Sequence, residues 1–430
     1  AGRVPGPYPR RVAIPVLPAT TAPRVRTMPL EDPGPLLDRL PDATGTAWVR
    51  DGDGLVGWGV AASLEVTGDE RFSRTQRWWA EWCRLADIDD PLQLPGTGPV
   101  AFGSFTFDPQ PASGRASRIV VPRAVLGRRE GRAWLTIVDD PDDLLPRDAL
   151  LPAPMRPEAP SRVDWGRGTR TSEEWKAAVG EAIDRIGRGE VDKVVLARDV
   201  IAEVSDDFDV RYLLQRLAEA YPECWTFQVD DMVGATPELL VRRTADTVLS
   251  RVLAGTVKRR GDESEDASLA QALLGSGKDL EEHEYAVRSV ARALGHHCTD
   301  LRVPQQPHVL RLANVQHLAT DVTGRLADGA PVLALAASLH PTAAVCGTPT
   351  ERAFAMIREL EGMDRGRYAG PVGWFDSRGD GEFGIALRCA EVHPGSLRLF
   401  AGCGIVTGSD PEAELAESRA KFAPIRQALS

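Results

Sequence analysis

Three stretches of this chain carry residue types that could move protons or hold charge. The first is Lys193, in DKVVLAR. On a strand, Asp192, Val194 and Leu196 face one way and Lys193, Val195 and Ala197 the other. Lys193 then shares a face with small apolar residues, which desolvate its ammonium and draw its pKa toward that of a usable base. A lysine snorkelling at a strand edge gives the same pattern. The second feature is a pair of acidic helices. SGKDLEEHEYAV sets Asp279, Glu281, Glu282 and Glu284 close together, and DPEAELAESRAK sets Glu414, Glu417 and Lys421 at i, i+3 and i+7 on one face. Two such helices meeting at a pocket would hold a hard cation such as Mg²⁺ through few direct ligands, leaving room for substrate oxygens. Apart, each is an ordinary solvated face. The third is the glycine-rich strand-to-helix joint AGCGIVTGSDP, with Asp410 as N-cap and Pro411 as the first helical residue. Glycines let backbone N–H groups approach an anion, and a helix start adds positive potential.

Other chemistries find no footing. There is no GxGxxG after the first strand, no Walker sequence and no GxSxG elbow, and HEYAV is not HExxH. The six cysteines form neither CxxC nor a His/Cys cluster at zinc spacing. They read as reduced thiols of a cytoplasmic protein.

The elements that must position these residues follow from periodicity. TSEEWKAAVGEAIDRIGRGE opens with a capping box, Thr171 and Glu174, and repeats apolar residues at 175, 179, 183 and 186. VDKVVLARDVIAEV reads as a long strand, and further strands follow at CWTFQVDD, ELLVRRT, TVLSRVLAG, FGIALRCAEV and LRLFAGCGIV. Long helices are predicted over SGKDLEEHEYAVRSVARALG and from Pro411 to the end. Earlier, TAWVRDGDGLVGWGV reads as strands around a DGDG turn. RTQRWWAEWCRLA puts Trp78, Trp79, Trp82 and Leu85 at helical spacing, as a helix docked on a sheet would. Strands recur without intervening helices, so the class is α+β, with large and mostly antiparallel sheets. Residues 1–35 hold nine prolines and read as an extended N-terminal arm. A β-rich region is expected over 36–160 and the catalytic region over 165–430. The proline-rich stretch 144–162 between them reads as a linker.

Composition sets the limits. Of 430 residues, 43% are hydrophobic and 26% charged, a globular balance. The net charge of −11 argues against a nucleic-acid or basic membrane-surface partner, and an anionic substrate would need local cations. No run of 18 apolar residues occurs, and the first twenty residues lack the apolar core of a secretory leader.

Eight blocks then occur in order: KVVLAR, GATPELL, LAGT, SGKDLEEH, LHPTAAVCGTP, DRGRYAGPVGW, IALRCAEV and AGCGIVTGSDPEAELAESRAK. From about residue 165 onward the chain closely resembles the chorismate-utilising enzymes, with their anthranilate synthase component I-like fold, and among them the isochorismate synthases. The resemblance implies that Lys193 is the base activating water for attack at C2 of chorismate. It implies that Glu238, in the (S/T)PE block, gives the C4 hydroxyl its proton. Water is a poor nucleophile and hydroxide a poor leaving group, so the exchange needs both proton transfers. Burial would keep the lysine neutral and the carboxyl protonated. By the same resemblance Glu282 and Glu417 hold Mg²⁺ with Glu414 in support. Arg388 and Lys421 meet substrate carboxylates, and Gly255, Thr256, Gly402 and Gly404 line the pocket. His340 and Thr342 of the HPT block shape it, and His317 is either a contact or a structural histidine. Two departures from the family pattern are Ala343 in place of a proline and Cys403 between the two glycines. The competing activities are salicylate synthase, which would also eliminate pyruvate, and an aminating enzyme. Aminating enzymes use ammonia without a lysine base and recruit a glutaminase. Lys193 is present and no glutaminase region is, so no such subunit is expected. Catechol siderophore, menaquinone and secondary-metabolite pathways all remain open as destinations of the product.

Overall fold

The computed structural model describes residues 22–139 and 150–430. Two large sheets dominate it, one of thirteen strands and one of ten. Every pairing between them is antiparallel except that of Arg24–Leu30 with Asp87–Asp89. This is the α+β class expected.

The strand Thr46–Arg50 shows how the layers arise. Its residues are buried on both faces: Trp48 belongs to one apolar core, Ala47 and Val49 to another. The first core lies between the sheets and joins Trp48, Trp225 and Phe227 of the larger sheet to Phe102, Val241 and Phe383 of the smaller. The second packs the outer face of the larger sheet against the helices Val210–Ala220 and Pro411–Ala428. The smaller sheet carries Gly277–Leu294 and Val332–Leu339 on its own outer side. Period-two alternation thus directs each strand's side chains into two different cores. The hairpin from Thr46 turns at Asp51 and Gly52, both at positive φ (50° and 78°), the turn that matches strand twist.

The helix at Ser172–Gly187 has its capping box, Thr171 and Glu174 each bonding the other's backbone, and buries Trp175, Val179 and Ile186. The tryptophan helix forms over Arg71–Leu85, but only Trp79 is buried; its indole donates to Asp376 O and meets Phe375 edge-on. Leu85 is exposed, because the helix touches the sheet along a narrower stripe than the four-residue pattern implied.

Of the arm expected over 1–35, residues 1–21 lie outside the described residues. Arg24–Leu30 is a strand in the larger sheet, paired along its whole length with Arg132–Asp139. Of the linker at 144–162, residues up to 149 also lie outside. The rest runs along the surface, tied by Met155 N to Asp38 O and by Gln215 to Met155 O. It separates no sheets. Thr46–Arg50 pairs with Trp225–Val229, and Val100–Ser104 pairs with Pro371–Asp376, so the regions before and after it share both sheets. The six cysteines form no disulfide.

Candidate functional site

A cleft opens at the ends of the strands Lys193–Val204, Thr247–Lys258 and Ser396–Ile405, under the helices Gly277–Leu294 and Pro411–Ala428. Its wall includes Val195, Glu238, Gly255, Thr256, Glu282, His317, Arg388, Gly402, Gly404, Glu417 and Lys421. Residues far apart in sequence therefore converge on one cleft.

Lys193 begins its strand and is wholly buried, its Nζ 3.1 Å from Glu282 Oε1. The apolar surroundings expected from the strand pattern are thus only part of its environment; the Gly277–Leu294 helix adds a carboxylate. Gly404 lies against this pair. A Cβ there would collide with the Glu282 carboxylate and come within 3.0 Å of Lys193 Cε. Opposite Gly404 and Gly402 stand Val195 and Ala197, whose N–H groups turn away to Cys346 O and Glu361 Oε1. Antiparallel alternation then turns the glycines' own polar groups to the cleft side, beyond the end of the Cys389–His393 strand. There Gly402 O accepts from Lys421 Nζ at 2.8 Å.

Glu238 sits in the short link between the strands Met232–Thr236 and Leu239–Thr244. Burial pushes its carboxyl up to about 8, against the pull of Lys193, the Leu253 amide, Lys421 and Arg388. It is a neutral acid at pH 7, as its expected role requires.

Arg388 occupies a left-handed backbone position, φ 49°, in the link before Cys389–His393. Its Nη2 lies 3.2 Å from His317 Nε2, while His317 Nδ1 lies 3.1 Å from Thr256 Oγ1 and 3.3 Å from Gly255 O. A guanidinium only donates, so Nε2 must accept and the proton sits on Nδ1. Burial, then the Arg388 and Lys421 charges, hold the imidazole well below its usual range, and it stays neutral. His317 is both a cleft residue and the brace of Arg388. Gly255, at φ +76°, brings the backbone against Asp279, whose Cβ would be 3.1 Å from an added methyl.

The three expected metal ligands each carry a lysine: Glu282 pairs with Lys193, Glu417 with Lys421 at 2.6 Å, and Glu414 with Lys278 at 2.8 Å. Ligand atoms of Glu414, Glu417 and Cys403 lie within 4.8 Å of one another, and the charges of Glu282 and Glu417 both act on Lys278. Burial and then Glu417 raise the Glu414 carboxyl. Burial opposes the Lys421 and Lys278 ammoniums, but adjacent carboxylates outweigh it and raise both pKa values. The grouped carboxylates, Glu414 and Glu417, belong to one helix, and Glu282 stands near them on the other; carboxylate oxygens are the donor type a hard divalent ion such as Mg²⁺ takes. Arg388 and Lys421, on the cleft wall, are the cations an acidic protein offers an anion there.

Four expected residues are absent from the cleft wall: Lys193 and Glu414 are buried beside it, and His340 and Thr342 are placed differently. His340 and Thr342 do not line the cleft. The His340 imidazole is buried among Phe72 and Phe107, donates to Phe107 O and is driven by burial down to about 3. Ala344 and Val345, further along the same loop, form the wall instead. The helix start at Asp410 is not an anion seat either. Its own carboxylate caps Ala413 N, and the cleft faces later turns of that helix. Sequence reasoning missed Tyr368 and Arg365, though both lie in the quoted block DRGRYAGPVGW. Tyr368 stacks on Phe400 with its hydroxyl toward Gly402. Arg365, paired with Glu361, ties Val195 O to Val345 O beneath the cleft.

Comparison with known proteins identifies the family and the fold. The family model for "Chorismate binding enzyme" matches residues 48–430. The salicylate biosynthesis isochorismate synthase of Pseudomonas aeruginosa is 38% identical over 398 residues, covering 87% of this chain and 82% of that protein. The menaquinone-specific isochorismate synthase MenF of Escherichia coli superposes with a TM-score of 0.77 at 28% identity, covering 97% of both chains. Anthranilate synthase component I from Streptococcus pneumoniae, 20% identical, superposes at 0.62 over 100% of this chain and 96% of its own, and shares the fold.

Proposed function

The chain belongs to the chorismate-binding enzymes, and from that premise we propose that it is an isochorismate synthase, interconverting chorismate and isochorismate with Mg²⁺. The observation that carries the reading is the pairing of two proton carriers in one cleft. Lys193 lies buried just behind the wall residues Gly404 and Glu282, and Glu238, a wall carboxyl held neutral to about pH 8, feels its charge. Lys193 takes the proton of the water that attacks C2 of chorismate, and Glu238 donates to the C4 hydroxyl as it leaves. The reverse reaction uses the same groups with their roles exchanged. Arg388, braced by His317, and Lys421, anchored on Gly402 O, hold carboxylates of the substrate. The cleft walls exclude bulk water from the allylic centre. Glu282 and Glu417, with Glu414 in support, would hold the cation, which when bound neutralises a ring carboxylate.

Chorismate with Mg²⁺ and the purified protein should give a mixture of chorismate and isochorismate that reaches the same ratio from either side. Salicylate accumulating as fast as chorismate disappears would instead make this a salicylate synthase. An aminated product formed with ammonium would overturn the base assignment as well.

A further inference from the structure

Glu282, Glu414 and Glu417 are matched one for one by lysines, and two of those lysines already have work. Lys193 faces the reacting carbon, and Lys421 the substrate. Lys278 has none. It lies in the first turn of Gly277–Leu294, four residues before Glu282 on the same helix. From there it reaches across to the other acidic helix, where its Nζ donates to Glu414 Oε1 at 2.8 Å. Glu414 is 2% exposed, so in the folded chain this ammonium is the cation that compensates it. The Lys278 side chain itself is 37% exposed, and its stem can swing toward water without opening a cavity.

We propose that Lys278 sets how tightly this chain holds its divalent cation, by occupying the Glu414 carboxylate and leaving Glu282 and Glu417 as the direct ligands. The inference rests on the metal reading above. A cation entering between the helices meets two carboxylates whose lysines serve the substrate, and a third whose lysine serves only that carboxylate. Keeping the third oxygen donor neutralised weakens the site and leaves coordination positions to water and substrate oxygens. Were Lys278 a structural tie between the two helices, its loss would loosen the carboxylates and weaken binding, so the two roles predict opposite signs.

Mn²⁺ binding to the full chain without substrate tests this, with calorimetry for affinity and water-proton relaxation for the exchangeable waters on the ion. Lys278→Met should bind Mn²⁺ about ten-fold more tightly, and the ion should lose at least one exchangeable water as Glu414 enters. Glu414→Gln added to Lys278→Met should return affinity to the wild-type level, and Lys278→Arg should keep it there. Unchanged or weaker binding in Lys278→Met, with wild type binding normally, overturns the role of Lys278 alone. A wild-type chain that binds no Mn²⁺ overturns the metal site and this inference together.

Discussion

Replacing Glu238 by glutamine separates two consequences of one buried carboxyl. The amide keeps the size of the side chain and cannot ionise. In the wild-type protein burial raises the carboxyl from 4.5 to about 8. Its folded-state pKa lies above its unfolded value, so the associated stability is fully present below pH 4.5 and is lost as pH rises through 8. Each unit is worth about 1.4 kcal/mol, so the interior penalises the ionised form by about 5 kcal/mol once both states are deprotonated. Urea unfolding of metal-free protein between pH 4.5 and 9 should therefore show wild type and Glu238→Gln close together at the acid end. They should diverge above it, with the variant the more stable by several kcal/mol at pH 9. The same variant should lose about 10²- to 10⁴-fold in kcat, in both reaction directions equally, because an amide cannot supply the leaving hydroxyl's proton. In wild type, the forward rate should fall as pH passes 8 and the acid form is depleted. Parallel stability curves would show that Glu238 is ionised in the folded protein at neutral pH, and the general-acid assignment would fail with them.

Lys193→Ala should reduce kcat by about 10²- to 10⁴-fold from either isomer without shifting their equilibrium ratio, and near-wild-type rates measured from both sides would identify another base. Glu282→Gln or Glu417→Gln should raise the Mg²⁺ concentration needed for half-maximal rate, and an enzyme fully active after exhaustive chelation would refute the metal site. Gly404→Ala should leave the melting temperature nearly unchanged yet abolish most turnover, since the new methyl meets the movable ends of Glu282 and Lys193; comparison of Tm with kcat decides it. Arg388→Ala should raise KM and lower kcat together, and His317→Ala should reproduce part of that pattern through the lost brace; a change in Tm alone would make Arg388 a structural residue.

Much of the cleft was legible because its residues are fixed by local chemistry. A strand that starts with lysine and glutamates at helical spacing can be recognised where they stand, whereas Glu238 is legible only through the resemblance to the chorismate-utilising enzymes. Residues whose role depends on a distant partner could not be read this way. Lys278 sat within a quoted block, but its partner Glu414 lies 136 positions away. Tyr368 looked like one aromatic among many until Phe400 and Gly402 gave it a place. His340 failed in the opposite sense. Its block was read correctly, but the loop turns so that Val345 meets the cleft and the imidazole meets Phe107. The α+β class followed from the order of strands, whereas strand neighbours did not. A proline-rich stretch signals irregular backbone, and nothing local in it tells whether the sheets on either side are separate or shared.

That sharing bears on how the chain is made. Thr46–Arg50 lies inside the larger sheet between Asp53–Trp58 and Trp225–Val229, and the smaller sheet joins Val100–Ser104 to Pro371–Asp376. During synthesis the early hairpin, complete at Trp58, leaves the ribosome with one edge bare, long before its partner strand at Trp225–Val229 is translated. The seam at Val100–Ser104 waits longer still. Neither half can complete a core alone, so the nascent chain carries open apolar edges through most of its elongation, when they are free to pair with the wrong neighbour. The cleft closes late: the Ser396–Ile405 strand and the helix after it, which bring Gly402, Gly404, Glu417 and Lys421, emerge after all the strands and helices they pack against.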